Sequence, residues 1–87
     1  MYLFFDGEKV KTSRRKPKVY PHLYVKGNLI TVFVKPDFVA RFKGAKVLEL
    51  VKEALHGLEV QASHNPKLQE AFKQLRWKLE EIWRGRR

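Results

Sequence analysis

Residues 22–35, His-Leu-Tyr-Val-Lys-Gly-Asn-Leu-Ile-Thr-Val-Phe-Val-Lys, alternate in side-chain character on both sides of a Gly27-Asn28 pair, and no other stretch restricts the chain as much. Two β-branched and aromatic runs parted by such a dipeptide read as a hairpin with a two-residue turn. Pairing outward from that turn sets Lys26 against Leu29, Val25 against Ile30, Tyr24 against Thr31, Leu23 against Val32 and His22 against Phe33. Side chains alternate across a strand, so Leu23, Val25, Ile30, Val32 and Val34 share one face. His22, Tyr24, Lys26, Thr31, Phe33 and Lys35 share the other. The aliphatic face is a core. The face that mixes rings with cations suits single-stranded nucleic acid, whose bases stack on aromatic side chains while its phosphates meet Lys and Arg.

A second hairpin is expected over residues 2–12, with Asp6-Gly7 as its turn. Phe5 then faces Glu8, Phe4 faces Lys9, Leu3 faces Val10 and Tyr2 faces Lys11. The same division recurs: Leu3, Phe5 and Val10 on one side, Tyr2, Phe4, Lys9 and Lys11 on the other. An exposed aromatic cluster of this kind marks a binding surface or an oligomer interface. The two hairpins are joined by Thr12 to Pro21, in which Arg14, Arg15, Lys16 and Lys18 are cationic and Pro17 and Pro21 keep the segment out of a helix. A charge run alone is usually a solvated connector. Beside two ring-bearing hairpins it reads as a phosphate clamp, with Tyr20 placed to stack a base or to pack beneath the loop.

Beyond Lys35-Pro36 the apolar period lengthens toward 3.6. Asp37 can cap a short helical turn over 37–43, ending near Gly44. A helix is expected over 45–62, its stripe made of Val47, Leu48, Leu50, Val51, Ala54, Leu55 and Leu58, with Gly57 a weak point. Asn65-Pro66 supplies an N-cap and a first-turn proline for a last helix over 66–84. Leu68, Phe72, Leu75, Leu79 and Ile82 form its seam, and Trp77 lies off it. The expected fold is α+β: one domain over 1–87, a four-stranded antiparallel sheet of two hairpins in residues 1–35, and two main helices packed on one face.

The chain carries 19 Lys and Arg against nine Asp and Glu, a formal net charge of +10 that favours polyanionic partners. No stretch reaches the ~18 apolar residues of a membrane span, and Met1 to Phe5 lack signal-peptide architecture, so a cytoplasmic protein without a membrane partner is expected. There is no Cys, which excludes disulfides and thiolate chemistry, and His22, His56 and His64 lack metal-ligand spacing. No metal or cofactor is expected. The helical carboxylates Glu49, Glu53, Glu59, Glu70, Glu80 and Glu81 alternate with Lys or Arg at ion-pair spacings, and no phosphate-binding glycine loop or paired-acid metal site is present. An enzyme is therefore not expected. The remaining catalytic option is a metal-free ribonuclease using His22 with Tyr24 or Lys26.

Duplex recognition would want base-reading Asn, Gln and Arg on the exposed strands, and rings cannot stack on bases that stay inside a duplex. The composition, free of Cys and rich in charge, leans toward a thermophilic source. The aromatic and basic segments Tyr2-Leu3-Phe4-Phe5, Arg14-Arg15-Lys16-Pro17-Lys18 and His22 to Lys35, followed by two helices, resemble the ThermoDBP-related proteins. That resemblance is architectural and covers most of the chain. It implies a single-stranded DNA-binding protein of thermophiles on a scaffold unrelated to the OB-fold, with a hydrophobic cleft flanked by basic side chains. The nucleic-acid-binding residues expected from the faces are Tyr2, Phe4, Tyr24 and Phe33 for stacking, with Tyr20 and His22 beside them. Lys9, Lys11, Lys26 and Lys35 flank the rings, and Arg14, Arg15, Lys16 and Lys18 meet phosphates, of DNA or RNA. The rival reading is a protein-interaction or homo-oligomerisation module that uses the aromatic face or the helical seam.

Overall fold

The computed structural model describes residues 1–85. Five strands, β1 (Tyr2–Phe5), β2 (Val10–Ser13), β3 (His22–Lys26), β4 (Leu29–Lys35) and β5 (Phe38–Lys43), precede two helices, α1 (Val47–Gln61) and α2 (Pro66–Arg84). The strands form one antiparallel sheet in the order β2-β1-β3-β4-β5. No described helix is long and apolar enough to cross a membrane.

The β3–β4 register is the one the alternation demands: His22 pairs with Phe33, Tyr24 with Thr31 and Lys26 with Leu29. Gly27 has φ 56° and no described non-glycine residue has positive φ, so only the first turn position uses the left-handed region. The β1–β2 pairing departs from expectation by two residues, with Phe5 opposite Val10, Phe4 opposite Lys11 and Tyr2 opposite Ser13. Its loop is longer because the Asp6 carboxylate accepts the amides of Glu8 and Lys9, both at 2.9 Å, closing four residues rather than two. A two-residue shift leaves each side chain on its own face. It moves Lys9 out of the sheet and brings Ser13 in.

Residues 37–43 are not a helical turn. Pro36-Asp37 is a turn, and β5 pairs with β4 from Leu29↔Lys43 to Lys35↔Phe38, with an irregularity between Phe33 and Lys35. The sheet therefore has five strands, not four. The exposed backbone of the long strand β4 needs hydrogen-bond partners, and β5 provides them. Phe42 and Ala40 pair with Ile30 and Val32 on the core face, while Val39, Arg41 and Lys43 fall on the ring face.

The helices cover the aliphatic face as an antiparallel pair, α2 over β1 and β2, α1 over β4 and β5. Leu3, Leu23, Val25, Ile30 and Val32 meet Val47, Val51, Leu55, Phe72, Leu75 and Leu79 in one core. Asn65 caps α2 by accepting the Leu68 amide at 3.2 Å, with Pro66 in the first turn. Gly57 lies within α1 without ending it. Leu50, expected on the apolar stripe, is half exposed, and Trp77 stands in solvent with the Lys73 ammonium 4.9 Å from its ring centroid. Lys52–Glu80 at 3.3 Å and Arg76–Glu59 at 3.2 Å tie the helices together.

Candidate nucleic-acid interface

Strands β2 and β3 flank β1 and both run antiparallel to it, so they are parallel to each other. Residues 14–21 must therefore travel the length of the sheet to join them. They do so as a strap across the ring face: the Val19 carbonyl is 2.9 Å from His22 Nδ1, Tyr20 packs against the His22 ring at 4.9 Å, and the Lys16 ammonium sits 5.2 Å from the Phe33 centroid. Ser13 fixes the start of the strap, its hydroxyl accepting the Arg15 amide and donating to the Arg15 carbonyl.

The strand registers arrange the face in rows. One row reads Ser13, Tyr2, Tyr24, Thr31, Arg41; the next reads Lys11, Phe4, His22, Phe33, Val39; a shorter one reads Lys26, Leu29, Lys43. Tyr2 and Tyr24 are in contact, with ring centroids 4.7 Å apart and planes tilted by 47°, and both are partly open to solvent. His22 stacks on Phe33 at 4.6 Å and 17° and meets Tyr2 edge-on at 5.9 Å.

These contacts bring together most of the expected residues. Tyr2, Phe4, Tyr24 and Phe33 share the face left uncovered by the helices, all four half-buried. Tyr20 bridges the strap and the rings. Lys11, Arg14, Arg15, Lys16, Lys18, Lys26 and Lys35 are exposed around them, and exposed Lys9 belongs to the β1–β2 loop. His22 differs: expected at the surface, it is fully buried, because the strap lies over it. Phe33 is half-buried, with the Lys16 ammonium 5.2 Å from its ring centroid and His22 stacked on it. Arg41 and Lys43 join the face through β5 and were not among the expected residues. Their signal was the alternation Val39, Arg41, Lys43 against Ala40 and Phe42, readable once 38–43 is taken as a strand.

Charge is unevenly divided. Residues 1–46 hold eleven Lys and Arg against three Asp and Glu, and residues 47–87 hold eight against six, so +8 of the net +10 lies in the part of the chain that precedes α1. On the ring side Lys11 is engaged by Asp6 at 2.9 Å and Lys35 by Asp37 at 3.7 Å. Among the described residues Arg14, Arg15, Lys16, Lys18, Lys26, Arg41 and Lys43 form no ion pair.

Three pKa shifts belong to this side of the molecule. The amides of Lys9 and Glu8 and the Lys11 ammonium hold the Asp6 carboxyl well below the usual carboxylate range, and the Asp6 carboxylate in turn holds Lys11 protonated beyond its ordinary range. Burial lowers the His22 pKa below the ordinary imidazole value; its bond to Val19 opposes that shift and Lys16 adds to it.

Where the strap rounds the end of the sheet it stands off the start of α2, leaving a groove of about 680 Å³ lined by Phe5, Val19, Tyr20, Leu68 and Ala71. Asp6 and Glu70 line it against one cation, Lys67, so the groove is a poorer place for phosphate than the ring face. No group of three His, Cys, Asp or Glu able to hold a metal ion occurs among the described residues. Compared with protein-family models, with curated proteins and with solved structures, the chain matches none.

Proposed function

We propose that this protein binds single-stranded nucleic acid on the strap side of its sheet, with little sequence reading and without catalysis. The observation that carries the reading is the Tyr2–Tyr24 ring pair, partly open on the face opposite the helices, which shares that face with Lys26, Arg41 and Lys43 and is crossed by a strap carrying Arg14, Arg15, Lys16 and Lys18, none of the seven in an ion pair among the described residues. Bases stack on Tyr2 and Tyr24, and on Phe4 and Phe33 at the margin of the strap. Phosphates are met by Arg14, Arg15, Lys16 and Lys18 on one side and by Lys26, Arg41 and Lys43 on the other, with Lys9, Lys11 and Lys35 farther out. The resemblance to ThermoDBP-related proteins implies the same ligand. The side-chain bond of His22 runs to the Val19 carbonyl, and no carboxylate or second imidazole pairs with it among the described residues, which argues against a ribonuclease acid–base pair.

Fluorescence anisotropy with labelled single- and double-stranded oligonucleotides over a range of salt tests the reading. Single strands should bind more tightly than duplex of the same length, with a steep salt dependence. Equal or tighter duplex binding overturns it. One observation favours a second reading: Phe38 and Val39, each 45% exposed, lie on β5, which ends the sheet with one unpaired edge. Self-association through that edge would appear in sedimentation velocity as a concentration-dependent dimer without oligonucleotide.

A further inference from the structure

His22 is the only titratable side chain among the described residues that is fully buried on the ring side, and the strap is what seals it. The Val19 carbonyl can only accept, so Nδ1 carries the proton of the neutral ring and Nε2 is left as a bare lone pair. That nitrogen is buried with no hydrogen-bond partner among the described residues. Around the ring stand Phe33 and Tyr20 in close contact, Tyr2 at its edge and Phe4 as its register partner on β1.

The charged groups facing this cluster are nearly all of one sign. The strap brings Arg14, Arg15, Lys16 and Lys18, β2 brings Lys11, β3 brings Lys26 beside Tyr24, β4 brings Lys35 and β5 brings Arg41 and Lys43. The helices pack on the other face. Asp6 and Asp37 are engaged by Lys11 and Lys35, and no carboxylate contacts the imidazole. A second proton on His22 therefore meets burial, surrounding cations and no acceptor for the new Nε2–H. Phosphates arriving along the strap would neutralise the cations and offer that acceptor.

We propose that the strap is a proton-linked latch: binding of single-stranded nucleic acid along Arg14 to Lys18 is coupled to uptake of one proton at His22 Nε2, which releases the strap and uncovers Phe33 and Phe4. The proposal rests on the single-strand reading above. The proton comes from solvent and no covalent bond other than N–H is made. Neutral His22 keeps the strap down through Nδ1–H and ring stacking; the imidazolium must turn Nε2–H toward water or a phosphate oxygen. By linkage, what raises the affinity of His22 for a proton is raised by the proton in return. Affinity for the strand should rise as the pH falls from about 8 to about 5.5, by at most about tenfold per pH unit, the ceiling for one proton.

Two measurements on the unaltered protein test this. In the first, an NMR titration without ligand follows the His22 ring and the amides of Arg15, Lys16, Lys18, Val19 and Tyr20. His22 should titrate below the ordinary ~6.5 of imidazole, and the strap amides should shift in step. An ordinary midpoint, or strap amides that ignore it, overturns the latch. In the second, calorimetry of an oligothymidylate binding in buffers of different ionisation enthalpy counts protons. Uptake should approach one near pH 6 and vanish near pH 8; tight binding without uptake overturns the coupling. The His22→Gln variant should lose the uptake, whereas a His56→Gln, His64→Gln double variant, altered on the helix side, should keep it. Should the oligonucleotide bind at no pH, the single-strand reading and its coupling both fall, and the ligand-free titration alone decides whether the strap is a latch.

Discussion

Asp6 shows how one side chain sets the geometry of an edge. Its carboxylate takes two backbone amides and the Lys11 ammonium, which lowers its pKa in the folded state. A carboxyl with a depressed folded pKa contributes stability above its unfolded value near 3.9, and that contribution is lost as the pH falls through the folded one. Asp6→Ala should therefore lower stability at neutral pH more than at about pH 2.5, whereas Asp6→Asn, which keeps an acceptor for the amides, should cost less. Urea denaturation at the two pH values measures both. His22 has the same sign, since its depressed pKa makes the fold most stable above about 6.5 and weaker as the pH drops below it. Among the rings, Tyr24→Ala should cost ~1–3 kcal/mol of oligonucleotide binding, read by anisotropy. The faces of these residues were legible because parity along a strand needs no knowledge of the rest of the fold. The burial of His22 was not, since parity says which way a side chain points and nothing about what later crosses over it.

The turn between β3 and β4 is the element on which the register depends. Gly27→Ala places a Cβ on backbone at φ 56° and should cost about 1–2 kcal/mol in chemical denaturation, since that region penalises L side chains. Leu75→Ala, removing a fully buried α2 side chain that meets the sheet core, should cost ~2–5 kcal/mol by the same assay. The hairpin and α2 were readable from local chemistry: Gly27-Asn28 between alternating runs, and Asn65-Pro66 before a periodic seam. Strand β5 was not, because Phe38, Val39 and Phe42 suit a helical turn as well as a strand and Asp37 looks like a cap. The unpaired edge of β4 decided the matter, and an edge belongs to the sheet, not to the segment that fills it. The β1–β2 loop misled by length alone, since Asp-Gly suggested two residues and the Asp6 side chain held four.

The order β2-β1-β3 makes the strap necessary and puts its four cations on the ring side, while α1 and α2 take the other. The two sides should answer differently to loss of charge. Arg14→Ala or Lys26→Ala should each flatten the logarithmic salt dependence of oligonucleotide binding by about 0.7, one phosphate contact on a single strand. Lys67→Ala or Lys78→Ala, on α2, should leave the slope where it was. Equal effects from both pairs would show binding to be driven by total charge instead of by a face.

Trp77 and Trp83 both belong to α2, while the rings nominated for stacking are tyrosines and phenylalanines of the sheet. The two sides of the molecule thus emit light in separate channels. Quenching confined to tyrosine on addition of a strand would locate contact at the sheet, and a shift in indole emission would report something touching α2, with no label attached to either partner.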